Sequence, residues 1–174
     1  NLTNISERYD FVSSRVGIQQ FNADFRGFLF NDNEPGARFF GNYDNNKTQF
    51  NLAAFSRLDK DTNSGINTMF TDRHEDVYVA NMFRQDMLAQ GHTMLFSVVH
   101  REDTAGSSGY RYDSNNFLVR PTAIGDQRFK NIYSTYFGVG GDGHFGRLNT
   151  TTQFYYVNGS ESHSPIANRQ VDIN

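Results

Sequence analysis

The sequence has no cysteine, no tryptophan and only 3 prolines. Without cysteine there are no disulfides, no thiolate catalysis and no cysteine metal site. No apolar run approaches the roughly 20 residues that a membrane-crossing helix needs. Positive charge is not in excess: 16 Lys and Arg stand against 19 Asp and Glu, for a net charge of −3. That balance gives no basic surface for nucleic acid. The 5 histidines include no pair at the i, i+4 spacing of a helical zinc site. Ser160, Ser162, His163 and Ser164 are neighbours in sequence but form no nucleophile elbow. The run "GVGGDGHFG" lacks the Lys-Ser/Thr of a phosphate loop and reads as a tight hairpin turn using glycine for positive φ. The sequence is therefore not expected to encode an enzyme.

What is present is aromatic and alternating. Hydrophobic residues make up only 37% of the 174, yet 17 Phe and 9 Tyr bring aromatics to 15%. Helical periodicity is nearly absent. Two-residue alternation recurs, as it does in strands whose side chains point to opposite faces. In "QFNADFRGFLF", Phe21, Ala23, Phe25, Gly27 and Leu29 oppose Gln20, Asn22, Asp24 and Arg26. In "TQFNLAAFSRL", Phe50, Leu52, Ala54 and Leu58 oppose Gln49, Asn51 and Arg57. In "RLNTTTQFYY", Arg147, Asn149 and Gln153 oppose Leu148, Phe154 and Tyr156. The pattern predicts strands at 20–30, 37–43, 48–58, 76–86, 92–101, 131–139 and 145–158, with a weaker one at 9–18.

The connections alternate as well. Those at 44–47, 87–91 and 140–143 are short, whereas 59–75, 102–130 and 159–174 are long. Tight turns at one end and long loops at the other are the asymmetry of outer-membrane barrels. Most predicted strands also reach the 9–11 residues that a tilted strand needs to cross a bilayer. The expected fold is all-β: an antiparallel up-and-down transmembrane β-barrel, present in part, with 7–8 strands. It forms a single segment over 1–174, with 1–18 as a lead-in or preceding strand. Charged residues on such strands are costly toward lipid, so the polar set is expected to line a lumen: Asp24, Arg26, Gln49, Asn51, Arg57, Arg147, Asn149 and Gln153.

The stretches "FNADFRGFLFNDNEPGARFFGN", "LDKDTNSGINT", "YDSNNFLVRP" and "GDGHFGRLNTTTQFYY" resemble a family of large Gram-negative outer-membrane β-barrel proteins of unassigned, porin-like function. The resemblance covers roughly 18–174, and its motifs are structural. It implies an internal fragment of a larger barrel, an address in the cell outer membrane, the lipid bilayer as partner and small polar solutes as cargo, with no cofactor and no nucleic acid. Two other readings follow from the same residues. One is a secreted soluble β-sandwich binding carbohydrate or protein. The other is a barrel acting as scaffold or sheath for a partner complex. In "DKDTNSG", Asp59, Asp61 and Asn63 fall at alternate positions, as in the start of a calcium loop. The glycine comes one residue late, however, and Phe70 stands where the bidentate Glu belongs.

Overall fold

The computed structural model describes residues 3–4, 8, 10–58, 72–104, 115, 130–164, 167 and 169–173. They form one antiparallel sheet of nine strands in strict sequence order. The strands are β1 (Thr3–Asn4), β2 (Phe11–Asn22), β3 (Asn31–Tyr43), β4 (Thr48–Leu58), β5 (Asp72–Gln85), β6 (His92–Asp103), β7 (Ile132–Phe145), β8 (Leu148–Glu161) and β9 (Val171–Ile173). The seven from β2 to β8 run 11 to 14 residues each. The all-β, up-and-down expectation holds. The sheet is not closed, and β1 and β9 are its edges.

The short connections, 44–47, 86–91 and 146–147, lie at one end of the sheet. The longer ones, 23–30, 59–71, 104–131 and 162–170, lie at the other. The short turns are made by residues that accept left-handed backbone. Asp44, Asn45 and Asn46 have φ of 58°, 55° and 65° in succession, a region that Asp and Asn tolerate better than most residues. In the next turn the Asp86 carboxylate accepts the Gly91 amide at 2.8 Å, and the Asp86 amide donates to the His92 carbonyl at 2.9 Å. The third turn has two residues, with Gly146 at φ 63° and Arg147 following. Glycine at the first central position is the signature of a type II′ hairpin.

Two expected boundaries are corrected. Residues 140–143 are not a turn: Gly140 to Gly143 pair with Gln153 to Thr150, and β7 continues to Phe145. The stretch 20–30 is not one strand. β2 ends at Asn22, 23–30 is an irregular bend, and β3 begins at Asn31. The weak signal at 9–18 belongs to β2 itself, whose apolar residues are sparse because Gln, Ser and Gly take several of its positions.

The central strands β4 and β5 bury alternate residues. In β4, Asn51, Ala53 and Phe55 are buried while Leu52, Ala54 and Ser56 are exposed; in β5, Glu75, Val77, Val79 and Asn81 are buried while Tyr78, Ala80 and Met82 are exposed. The inward side chains meet the bend 23–30, which folds over the inner face. Ala23, Leu29 and Phe30 join Phe21, Phe55, Val77, Val79 and Val99 in one core, with Tyr136 and Tyr155 packed against it. Leu95 and Val99 blur the alternation of β6 in the sequence because both are core residues, almost wholly buried.

Gly143 has a φ of +149°, and a Cβ there would run into the Gly91 carbonyl and the His92 backbone. Gly143→Ala is expected to cost about 1–3 kcal/mol, read as a lowered midpoint in urea unfolding. Ser14→Ala, at an exposed position, should leave that midpoint nearly unchanged.

Candidate functional site

The sheet presents two faces of opposite chemistry. At mid-strand the outer face carries Val16, Ile18, Phe39, Leu52, Ala80, Val98, Phe137 and Phe154, and most are well exposed. Side-by-side residues in the ladder form continuous apolar rows: Phe39 pairs with Leu52, Leu52 with Ala80, Ala80 with Val98, Val98 with Phe137 and Phe137 with Tyr156. Two apolar grooves follow these rows, one beside Val16, Phe39 and Tyr78, the other beside Phe50, Phe96 and Phe154. Charged residues on this face stand toward the ends. Arg84 pairs with Asp44 at 2.8 Å beside the short turns, and Asp76 and Glu102 stand opposite each other toward the long connections. Tyr43 and Tyr133 also lie near strand ends, whereas Phe39, Phe137 and Phe154 sit within the rows.

Around the apolar core, the inner face carries two polar networks, while Gln19 Oε1, Ser97 Oγ and Gln153 Nε2 are buried outside them. Glu75 is 0% exposed and accepts three guanidinium groups: Arg57 at 3.0 Å, Arg73 at 3.0 Å, and Arg101. Arg57 also donates to Asp32 at 3.0 Å and lies 3.7 Å from Glu34, whose carboxylate accepts the Leu58 amide at 3.1 Å. Three carboxylates and three guanidinium groups thus neutralise one another toward the long-loop end. Taking such charges out of water is costly, and only close, well-hydrogen-bonded pairing offsets it. Lower on the same face runs a ladder of amides. Arg38 donates to the Asn51 side-chain oxygen at 2.8 Å, Asn51 to the Asn81 oxygen at 2.7 Å, and Asn81 to the Ala23 carbonyl at 2.9 Å. The sheet therefore holds the bend 23–30 from below.

That bend is organised by one carboxylate. Asp24, 2% exposed, accepts the amides of Arg26 at 2.8 Å, Gly27 at 2.5 Å and Phe28 at 3.2 Å on Oδ1, and that of Leu29 at 2.9 Å on Oδ2. It also lies beside the Tyr155 phenol of β8. Phe25 meets the Phe83 ring edge-on at 5.5 Å. The segment works as a plug that bridges β4 and β5 to β8.

The eight residues expected to line a lumen separate accordingly. Asn51 and Arg57 sit on the inner face as parts of the two networks, and Gln49 and Gln153 share its parity. Gln153 accepts the Tyr155 hydroxyl at 2.9 Å. Asp24 lies not on a strand but in the bend 23–30, buried as its internal anchor. Arg26 lies exposed on the same segment. Arg147 occupies the hairpin turn after Gly146, and Asn149, two residues on, is exposed at the start of β8. Sequence reasoning missed Asp32, Glu34, Arg38, Glu75 and Asn81. Their partners lie on other strands, so only the register brings them together. Asp59, Asp61 and Asn63 lie outside the described residues, among which no cluster of three or more metal-ligating side chains occurs. Among the described residues no helix is long and apolar enough to cross a membrane, which says nothing of a β-barrel.

Comparison of the chain with protein-family models, curated proteins and solved structures finds no match.

Two substitutions probe these networks. Glu75→Leu leaves three half-buried guanidinium groups without their shared acceptor; with solvent screening of the exposed parts, it is expected to lower stability by about 1–3 kcal/mol, measured by urea unfolding. Asp24→Ala removes four charge-assisted hydrogen bonds from the bend. It should cost at least about 1.5–3 kcal/mol and open 23–30 to limited proteolysis while β4 to β6 stay protected.

Proposed function

We propose that this chain is the wall of an outer-membrane β-barrel, with its apolar face toward lipid and its polar face toward a lumen. The observation that carries the reading is the pair of faces on a single layer. One is apolar and uncovered along whole rows, and the other holds the core and the two polar networks. An aqueous protein rarely leaves so large a contiguous apolar surface without a partner. A soluble sandwich would need a second layer over that face, and the described residues supply none. In a bilayer the same rows are already solvated. Asp76 and Arg84 bracket the apolar stretch of β5 and stand eight residues apart. That is about 27 Å of strand, or roughly 20 Å across a bilayer at a tilt of about 40°. The span suits the thinner hydrocarbon of a bacterial outer membrane. Long connections gathered at one end support the same orientation, with short turns inside and loops outside.

The inner face also bears on what the barrel does. Bend 23–30 and the charge cluster occupy it, and the cluster is internally neutral. This favours a structural or gated barrel over a freely open porin. The residues that would bias any solute are Arg38, Asn51 and Asn81, with Asp24 holding the plug. Membership of a family of large porin-like barrels remains part of this proposal.

The test begins with protein extracted from membranes in mild detergent and run on a gel with and without boiling. A closed barrel has no open edge and stays folded in SDS until heated, so a heat-dependent shift is expected. Solubility without detergent, together with no shift, would overturn the proposal. Leu52→Arg adds a quantitative reading. In a bilayer it should cost about 2–4 kcal/mol, whereas on a water-facing sheet it should fall within about 0.5 kcal/mol.

A further inference from the structure

Arginines stand at inward positions of each strand from β2 to β6: Arg15, Arg38, Arg57, Arg73 and Arg101. The fold treats them in two ways. Arg57, Arg73 and Arg101 converge on Glu75, and Asp32 and Glu34 complete that knot. Arg15 and Arg38 stand apart from it, directly across from each other between β2 and β3. Among the described residues neither forms an ion pair. Like charges directly opposite each other destabilise a sheet. The same inner face that gives three guanidinium groups their carboxylates gives none to this pair.

Arg38 is held in place by neutral groups. Its Nε and Nη2 both donate to the Asn51 side-chain oxygen, Nε at 2.8 Å. Asn51 is fixed in turn by its 2.7 Å bond to Asn81. The guanidinium carbon lies 4.3 Å from the centre of the Phe40 ring and 5.1 Å from that of Phe21. Aromatic faces attract a cation without neutralising it. Two rings and one amide therefore orient the group and leave its charge uncancelled. The Nε–Nη2 edge is taken by Asn51, and Nη1 makes no hydrogen bond among the described residues. The Nη1–Nη2 edge is left, a planar fork of the kind that grips a carboxylate or phosphate through two parallel hydrogen bonds. The next inward row toward the long connections is Gly17 opposite Gly36. It brings no side chain, so the two arginines border bare backbone on that side.

We infer that Arg15 and Arg38 form a binding site for a small oxyanion, the carboxylate or phosphate group of a solute, on the inner face. Arg38 supplies the oriented fork and Arg15 the second positive charge. An anion between them turns a repulsion across the ladder into a shared attraction. The inference goes beyond the membrane reading, since the site lies on the inner face whichever medium meets the outer one. Its test uses the full-length polypeptide, purified in mild detergent and titrated with sodium phosphate or sodium acetate. Chloride holds the ionic strength constant, so that screening does not change. Binding is read by titration calorimetry and by the thermal midpoint from circular dichroism. Saturable binding of at least one anion is expected, with a raised midpoint. Phosphate alone would assign a phosphorylated ligand and acetate alone a carboxylate, and either supports the site. Arg38→Gln should weaken binding about tenfold or more. Arg38→Lys should not restore it, because an ammonium keeps the charge without the fork. Arg15→Gln, at an exposed position that holds no other side chain, should weaken it about fivefold. Arg84→Gln, on the outer face, should leave it unchanged. No saturable binding of either anion would overturn the inference, and so would parent affinity in both Arg15→Gln and Arg38→Gln. A heat-modifiable barrel that binds neither anion would sink the site and leave the membrane reading intact. Anion binding by a protein that is soluble without detergent and unshifted by heating would do the reverse.

Discussion

A strand must place its neighbouring side chains on opposite faces, and a single sheet must therefore settle two surfaces at once. Nothing else in this fold is so constraining. There is no helix and no second sheet among the described residues to cover either side. The inner surface is settled by curling the sheet around its own β2–β3 connection, and the outer surface is left to its surroundings. Everything described above follows from how residues divide between those two solutions.

On the inner side the division is strict because the interior is both apolar and charged. Phe21, Phe30 and Phe55 stack near the plug, with ring centroids 5.1 to 6.4 Å apart. Arg57 lies on the same strand as Phe55, with the same parity. The two kinds of residue coexist because Glu75 gathers its guanidinium groups into one compact knot rather than spreading them along the wall. Asn51 and Asn81 then join that wall to the plug by side-chain amides, each acting as donor and acceptor in turn. An inner face made this way holds one arrangement, since slipping a strand by one residue would turn each member of the knot outward.

Much of the fold was legible in the residues. β4 has clean alternation and a short polar turn before it, and its bounds at 48 and 58 match the structure. The side of the sheet that bears long connections was legible too, from lengths alone. Legibility failed where local and tertiary signals conflict. Phe21, Ala23, Phe25, Gly27 and Leu29 alternate perfectly, yet a buried carboxylate at Asp24 bends the chain there. Alternation reports which residues want burial, and a plug satisfies that demand as well as a strand does. The inner network was the least legible part. Arg57 and Asn51 carried the right parity, but Glu34 and Glu75 gained meaning only once register set them beside it. The outer apolar rows were visible strand by strand, though their continuity across six strands was not.

The division of the connections by length has a consequence for where this protein can change. The short-turn rim is written in backbone conformation: three left-handed residues at Asp44 to Asn46, a carboxylate-closed loop at Asp86, and a glycine at Gly146. A residue inserted there would shift a register that runs through several strands. The opposite rim is joined by longer spans; 23–30 is fixed there by Asp24 and the core, but for the others, closing a longer span costs little more than closing a short one. One rim is thus a hem and the other a fringe. Variation, foreign epitopes and added recognition surfaces have room at the fringe, while the hem keeps the weave in register.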